Sequence, residues 1–357
     1  MKKILIVGKD IVGFGGLETV VSNFMLNLNK KGLHCKLVIL GTHGNDAWCQ
    51  GLDFEIISTT KKLKKINRTY IFIKMLLREK PDYIICLHHP LLPQLSLAKK
   101  ISYCKAKLNY WPHNTIISIT GDKSKRKEKF LFCIRHANEF FAISSGIKEE
   151  FKELGIEDNY IHLIYNPLTR QETFIPKSQN SNQFIYIGRL TFEGQKRIKD
   201  IIDAFSLLNE NEEFELKIIG NGDDRQIIVD YIKLKRLEHK ITLTQDWVMD
   251  PWSIIKEADA LILSSEHEGL GMVLGEAMSR GLPCISSDCF TGPRDFINDG
   301  VNGYLYEPKN IEELKEKILN IIHRKLPYKA ENLKTDLNKM YEDTYYSKVL
   351  EILSNKG

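Results

Sequence analysis

What the sequence lacks narrows it first. It contains no run of about 18 apolar residues, so nothing in it reads as a membrane-spanning helix. Its seven cysteines (Cys35, Cys49, Cys86, Cys104, Cys133, Cys284 and Cys289) show no Cys-x2-Cys spacing. They read as reduced thiols rather than a zinc site or a disulfide frame. No Asp-x-Asp stands at a strand end, so no metal and no cofactor are expected. Neither a solenoid-length repeat nor a low-complexity tract occurs. The glycine loop Gly13-Phe14-Gly15-Gly16 falls short of Gly-x-Gly-x-x-Gly, which sets a nicotinamide dehydrogenase aside.

What is present describes two cores. A chain of 357 residues with 43% hydrophobic content exceeds what one core usually serves. Apolar runs at 3–8, 36–40, 83–87 and 140–143 alternate with helix-like stretches at 19–31, 70–79 and 125–136, which reads as a parallel sheet wrapped by helices. The pattern pauses at 166–182, the expected linker, and restarts through 184–187, 215–219, 241–244, 260–264 and 284–286. The amino terminus, Met1 to Gly8, reads as a strand rather than a signal peptide, so a cytosolic protein is expected.

Charge is divided unequally. Residues 1–168 carry 26 Lys+Arg against 15 Asp+Glu, and the remainder 25 against 31, so the halves stand at +11 and −6. Clusters at Lys61, Lys62, Lys64, Lys65 and Arg68, and at Lys123, Lys125, Arg126, Lys127 and Lys129, suit an anionic lipid surface or a phosphorylated glycolipid. A solvated helix face is the plainer reading of the same residues. No recognition motif or aromatic platform accompanies the charge, so nucleic acid is not expected as a partner.

Two short segments carry the chemistry. Glu268-Gly-Leu-Gly-Met-Val-Leu-Gly-Glu276 follows the strand-like run 260–264. Gly269 and Gly271 suit the turn that opens a helix, whose free N–H groups attract a phosphate, and Glu276 then lies inside that helix. Carboxylates accept from sugar hydroxyls, so the pair suits a nucleotide sugar; a solvated capping Glu is the alternative. The second segment is Gly188-Arg189-Leu190, after the run 184–187, with Lys196 near the start of an amphipathic helix marked by Ile198, Ile201, Ile202 and Phe205. Cations at the carboxyl end of a strand can hold a diphosphate by charge-assisted hydrogen bonds.

Gly188-Arg189, Lys196, the Glu-x7-Glu of Glu268 and Glu276, and the loop 13–19 together resemble the retaining glycosyltransferases of the GT-B fold, nearly end to end. The runs 13–20, 111–113, 142–148, 165–167, 188–200, 283–286 and 292–293 resemble, more narrowly, the lipopolysaccharide 1,6-galactosyltransferases of outer-core synthesis. The resemblance implies an α/β architecture of two Rossmann-like domains facing across a cleft. The acceptor domain would span 1–168, joined by a returning C-terminal helix at 338–357, and the nucleotide-sugar domain 169–337.

It also implies roles. Arg189 and Lys196 hold the donor diphosphate and stabilise the charge that grows as UDP leaves. Glu276 takes the ribose hydroxyls and Glu268 those of the transferred sugar. Gly188 and the backbone of Gly269, Leu270, Gly271 and Met272 complete the donor cradle, and Gly15 and Gly16 allow close approach to the phosphates. His113 faces the sugar, though a lone His is more often a structural hydrogen bonder. Trp247 and Val248 suit the base, and Trp247 equally suits the core. Retention by same-face attack, without a protein nucleophile or a metal, follows for a hexosyltransferase. The expected partners are a UDP-sugar, a glycolipid or oligosaccharide acceptor, and the inner face of the plasma membrane. UDP-galactose onto a lipopolysaccharide core is the favoured pairing. UDP-glucose or UDP-N-acetylglucosamine onto another glycolipid or a capsule acceptor is the alternative, with a nucleotide-sugar epimerase or a silent binding partner beyond it.

Overall fold

The structure, a computed structural model, describes residues 1–11, 16–41, 47–58, 65–121, 124–179, 181–244, 248 and 250–354, without the side chains of 65–67. The chain divides into two units, Met1–Pro167 with Asp343–Gly357, and Leu168–Glu342.

The first unit is built on seven strands: β1 (Lys3–Lys9), β2 (His34–Gly41), β3 (Asp53–Ser58), β4 (Tyr83–Cys86), β5 (Lys107–Tyr110), β6 (Glu139–Ala142) and β7 (Ile161–Leu163). Their order is β3-β2-β1-β4-β5-β6-β7, with every neighbouring pair parallel. β1 lies near the centre, and Ile4, Leu5, Ile6 and Val7 are all buried. A strand covered on both faces must be apolar at consecutive positions, and this is why the core strands appear in the sequence as continuous runs. Each such side chain contributes about 1.5–3 kcal/mol by leaving water.

The second unit repeats the plan with β8 (Asn182–Ile187), β9 (Phe214–Ile219), β10 (Ile241–Leu243), β11 (Ala260–Leu263), β12 (Cys284–Ser287) and β13 (Gly303–Tyr306), in the order β10-β9-β8-β11-β12-β13. All its pairs are again parallel. The amphipathic helix expected after Lys196 is Ile198–Ser206, with Ile198, Ile201, Ile202 and Phe205 buried.

Several details differ from the sequence reading. β3, β5, β7 and β13 were not anticipated; charged, polar or aromatic residues break their apolar runs. The segment expected as a linker is largely built into the second unit. Leu168 bridges Tyr341, Ile175 N–H donates to the Arg280 carbonyl at 2.9 Å, and Ala258 N–H to the Pro176 carbonyl at 3.0 Å. The last helix is Glu342–Ser354 and does not begin at Asn338. Tyr341 is held instead by its bridge to Leu168 and by the Arg170 guanidinium 3.9 Å from its ring centroid. That final helix does return to the first unit: Tyr346 OH donates to the Asn23 carbonyl (3.0 Å), and the Lys2 ammonium to the Leu353 carbonyl (2.5 Å). None of the seven cysteines is in a disulfide, and burial pushes Cys35, Cys86 and Cys289 up to about 12, which makes them inert at neutral pH. Among the described residues no helix is long and apolar enough to cross a membrane.

Candidate functional site

The strand order of the second unit reverses between β8 and β11, and ligands of open parallel sheets bind at such a reversal. Of the sequence-predicted residues, Arg189 and Lys196 stand in the loop after β8 and Glu268 in the loop after β11. β8 ends in Gly188-Arg189-Leu190, whose backbone is fixed by Gly188 N–H to the Ile219 carbonyl and Leu190 N–H to the Asn221 carbonyl, both 3.0 Å. Buried Tyr186 donates its hydroxyl to the Arg189 carbonyl at 2.8 Å. Burial, with Glu268 nearby, raises the Tyr186 phenol well above its ordinary value, so it stays a donor. A Cβ at Gly188 would meet that hydroxyl at 2.9 Å, which explains the glycine. The Arg189 side chain is exposed.

Lys196 precedes the helix Ile198–Ser206. Its N–H donates to Thr191 Oγ1 (2.8 Å), and Arg197 takes a left-handed conformation (φ 46°) as the helix cap, with its guanidinium on Asp200 at 2.7 and 3.0 Å. The loop is tied to the one after β11. Ser264 Oγ donates to the Lys196 and Arg197 carbonyls (2.7 and 3.1 Å), Glu266 N–H to the Gln195 carbonyl (2.8 Å), and Gln195 Nε2 to the His267 carbonyl (2.9 Å). This lacing brings Lys196 Nζ to Glu268 Oε1 at 2.5 Å, in an ion pair whose side chains are 17% and 9% exposed. Ser265 donates to the same oxygen at 2.5 Å, and the Thr291 hydroxyl donates to the Glu268 carbonyl.

Beyond Glu268 the backbone turns. Gly271, at φ 81°, caps the helix Met272–Met278, in which Glu276 lies. Among the described residues, the N–H groups of Gly269, Leu270 and Gly271 have no hydrogen-bond partner, so three donors stand free at one turn. Gly292, at φ 95°, lets the neighbouring loop press on this turn: a Cβ there would lie 2.4 Å from the Leu270 carbonyl oxygen. Glu276 Oε2 accepts from Trp252 Nε1 at 2.9 Å. Arg280 donates to the Glu276 carbonyl (3.0 Å) and lies 4.5 Å from the Trp252 ring centroid.

In the first unit, His113 follows β5. Its ring lies 4.5 Å from that of Trp111, and its buried Nε2 has no partner among the described residues. Burial, with His88 nearby, holds His113 down to about 3, so it is neutral at physiological pH. Gly16 is exposed and opens the helix Gly16–Lys30; no described residue lies within 4 Å of a Cβ placed there. Gly15 and Trp247 lie outside the described residues, and Val248 is half-buried.

The supporting polar residues Ser264, Ser265, Thr291 and Trp252, together with Gly220 and Gly222, were missed in the sequence. A Cβ at Gly220 or Gly222 would lie 1.9 or 2.2 Å from the carbonyl oxygens of Gly188 and Leu190. Their signal was position: Ser264-Ser265 closes a buried strand, and Gly220-Asn221-Gly222 closes another.

This arrangement of cations, acceptors and free N–H groups suits an anionic nucleotide bearing hydroxyls. Residues 14–172 match the family Glycosyltransferase Family 4, and residues 169–340 the family Glycosyl transferases group 1. The chain is 33% identical to the lipopolysaccharide 1,6-galactosyltransferase of Salmonella typhimurium over 96% of both proteins, and 28% identical to that of Escherichia coli over 98% of both. It superposes on the lipopolysaccharide outer core galactosyltransferase WaaB in its apo form with a TM-score of 0.87 at 31% identity, covering 98% of each chain. Anabaena HepE in complex with UDP matches with a TM-score of 0.83 at 18% identity, over 99% of this chain and 100% of that one, a likeness of fold alone. The chain is thus a glycosyltransferase of the GT-B fold and belongs to the family of the lipopolysaccharide 1,6-galactosyltransferases.

Proposed function

We propose that this enzyme transfers galactose from UDP-galactose, with retention of configuration, onto a hexose of a lipopolysaccharide core. The observation that carries the sugar and the acceptor is the near full-length similarity to the Salmonella enzyme named for that reaction. The site supports the chemistry. Arg189, exposed at the strand end, and Lys196 supply two cations for the diphosphate, and the N–H groups of Gly269, Leu270 and Gly271 supply neutral donors. Glu276, oriented by Trp252, accepts from the ribose hydroxyls, and Glu268 from those of the sugar.

As the bond from the anomeric carbon to the diphosphate breaks, negative charge grows on the departing oxygen, and Arg189 and Lys196 stabilise it. The acceptor hydroxyl attacks from the same face and gives its proton to that oxygen. Two cations make a divalent metal unnecessary for this step. His113 stays neutral by burial and serves as a hydrogen-bonding group rather than a charge.

The enzyme works at the inner face of the plasma membrane. The helix Ser124–Ile134 exposes Lys125, Arg126, Lys127 and Lys129, with Phe132 also 60% exposed. Such cations contribute about 1 kcal/mol each near anionic lipid. Lys123 lies outside the described residues, as do Lys61, Lys62 and Lys64 of the other cluster and the side chain of Lys65, and Arg68 is half-buried.

The test is UDP release in chelator, with UDP-galactose, UDP-glucose and UDP-N-acetylglucosamine each offered with and without truncated lipopolysaccharide. Acceptor-dependent release from UDP-galactose alone is the expected result. Acceptor-dependent release from another donor would overturn the sugar, and a strict metal requirement would overturn the role given to the two cations.

A further inference from the structure

The first unit has its own reversal of strand order, between β1 and β4, where β2 and β3 lie to one side and β5 to β7 to the other. A ligand crevice is expected outside the carboxyl ends of those two strands. His88 spans it, and neither the sequence reading nor the proposed mechanism gives it a role.

His88 follows β4 in an extended conformation, φ −133° and ψ 113°, just before a 3-10 turn at His89–Leu91. Its carbonyl accepts from Leu91 N–H at 3.0 Å and from the Cys86 thiol at 3.2 Å, which fixes the backbone. Its Nδ1 accepts the backbone N–H of Lys9, the last residue of β1, at 3.2 Å. A neutral imidazole that accepts at Nδ1 carries its proton on Nε2. Burial, helped by the charge of Lys9, lowers the pKa of His88 and favours that neutral form. Among the described residues Nε2 has no partner, so a donor of defined tautomer is left free at the crevice.

The surroundings agree with a binding function. His113, whose charged form is disfavoured by nearby His88, holds its own buried Nε2, which has no partner among the described residues. Asp10, next after β1, is kept at φ 48°, a left-handed conformation that costs a non-glycine residue on the order of 1 kcal/mol and that clusters at ligand sites. It is held there by its N–H on the Leu40 carbonyl at 2.8 Å.

We propose that His88 is a sugar-binding residue, its Nε2–H donating to a hydroxyl of a sugar seated between the ends of β1 and β4, with the Lys9 N–H selecting the tautomer. This rests on the glycosyltransferase reading above. The hydroxyl belongs to the acceptor or to the transferred sugar, and kinetics separate the two.

Two variants divide a binding role from a structural one. His88→Asn keeps an acceptor where Nδ1 meets Lys9 but has nothing at Nε2. His88→Gln reaches the Nε2 position with an amide N–H but gives up Lys9. The full-length enzyme and both variants are compared for thermal unfolding and for transfer with donor and acceptor varied separately. His88→Asn is expected to unfold near the wild-type temperature while losing on the order of tenfold in kcat/KM, the effect of one hydrogen bond. His88→Gln is expected to unfold earlier yet retain more activity. A rise confined to the acceptor KM assigns an acceptor hydroxyl. A rise in donor KM, with slower donor hydrolysis in the absence of acceptor, assigns the transferred sugar. Wild-type constants in His88→Asn, or activity that follows stability through both variants, would overturn the inference. A wild-type enzyme that transfers none of the three sugars would overturn the functional reading itself, and the inference with it, and that result is read before any variant is made.

Discussion

Removing the ammonium of Lys196 alone should destabilise the second unit as well as slow transfer. Lys196→Met leaves the Glu268 carboxylate 9% exposed, with Ser265 the one described side chain still donating to it. Losing one partner of a buried ion pair costs about 3–5 kcal/mol, and the residual exposure of Lys196 puts this pair at the lower end, about 3 kcal/mol. For a unit the size of Leu168–Glu342 that is a fall of about 6–12 °C in Tm. Glu268→Gln should also destabilise, because the cation then loses its counter-charge. The double variant removes both charges, so its cost should fall about 2 kcal/mol short of the sum of the singles. Four proteins followed by calorimetry give this coupling directly. A coupling below about 0.5 kcal/mol, the usual additivity error, would show that the pair is held apart in solution and would refute the reasoning. Transfer by Lys196→Met, measured well below its Tm, should fall about 100-fold or more if the cation acts on the leaving diphosphate as proposed.

Other sites yield smaller tests. Trp252→Phe removes the indole N–H that orients Glu276 and should weaken UDP binding about three- to tenfold by calorimetry, with Glu276→Gln weakening it at least as much; unchanged UDP affinity in both would remove Glu276 from the nucleotide site. Gly292→Ala sets a Cβ against the Leu270 carbonyl at φ 95° and should cost about 2–3 kcal/mol in urea unfolding, and a silent substitution would mean the loop yields freely. In the first unit, His162 and Lys107 hold the Glu139 carboxyl down to about 2, at ion-pair distances of 3.5 and 2.9 Å. A depressed acid contributes stability that is full above its unfolded value and lost as pH falls through the folded one. Wild type should therefore exceed Glu139→Gln by about 2 kcal/mol at pH 6, with the difference shrinking between about pH 4 and 2; a difference that does not change with pH would reject the charge as its source. Reversing Lys125, Arg126, Lys127 and Lys129 to Glu should abolish sedimentation with anionic vesicles, and undiminished binding would place the lipid contact elsewhere.

The two Rossmann-like sheets were legible because of burial. A parallel strand covered on both faces must be apolar at every position, and Ile4 to Val7 and Phe184 to Ile187 advertise this without reference to any other part of the chain. The candidate site residues Arg189, Lys196, Glu268 and Glu276 could be picked out from their places in the chain for a related reason. Arg189 and Glu268 lie a few residues past such a strand, Lys196 stands just before the helix that follows β8, and Glu276 lies inside the helix that a glycine turn opens. The edge strands β3 and β7 were not legible, since Asp53, Glu55 and His162 interrupt the apolar runs by which the other strands show themselves.

What the sequence determined by itself is therefore local: which runs must be buried, where glycine permits a turn, and which charges stand at strand ends. Tertiary structure decided the pairings. Glu268 lies 72 positions from Lys196, and only the lacing of Ser264 and Gln195 across the ends of β8 and β11 closes that separation to 2.5 Å. The tautomer of His88 depends likewise on a backbone N–H 79 positions away. A hydrogen bond is specified by distance and angle between two groups. One strand's sequence can name a donor or an acceptor, but the sheet must form before either has a partner.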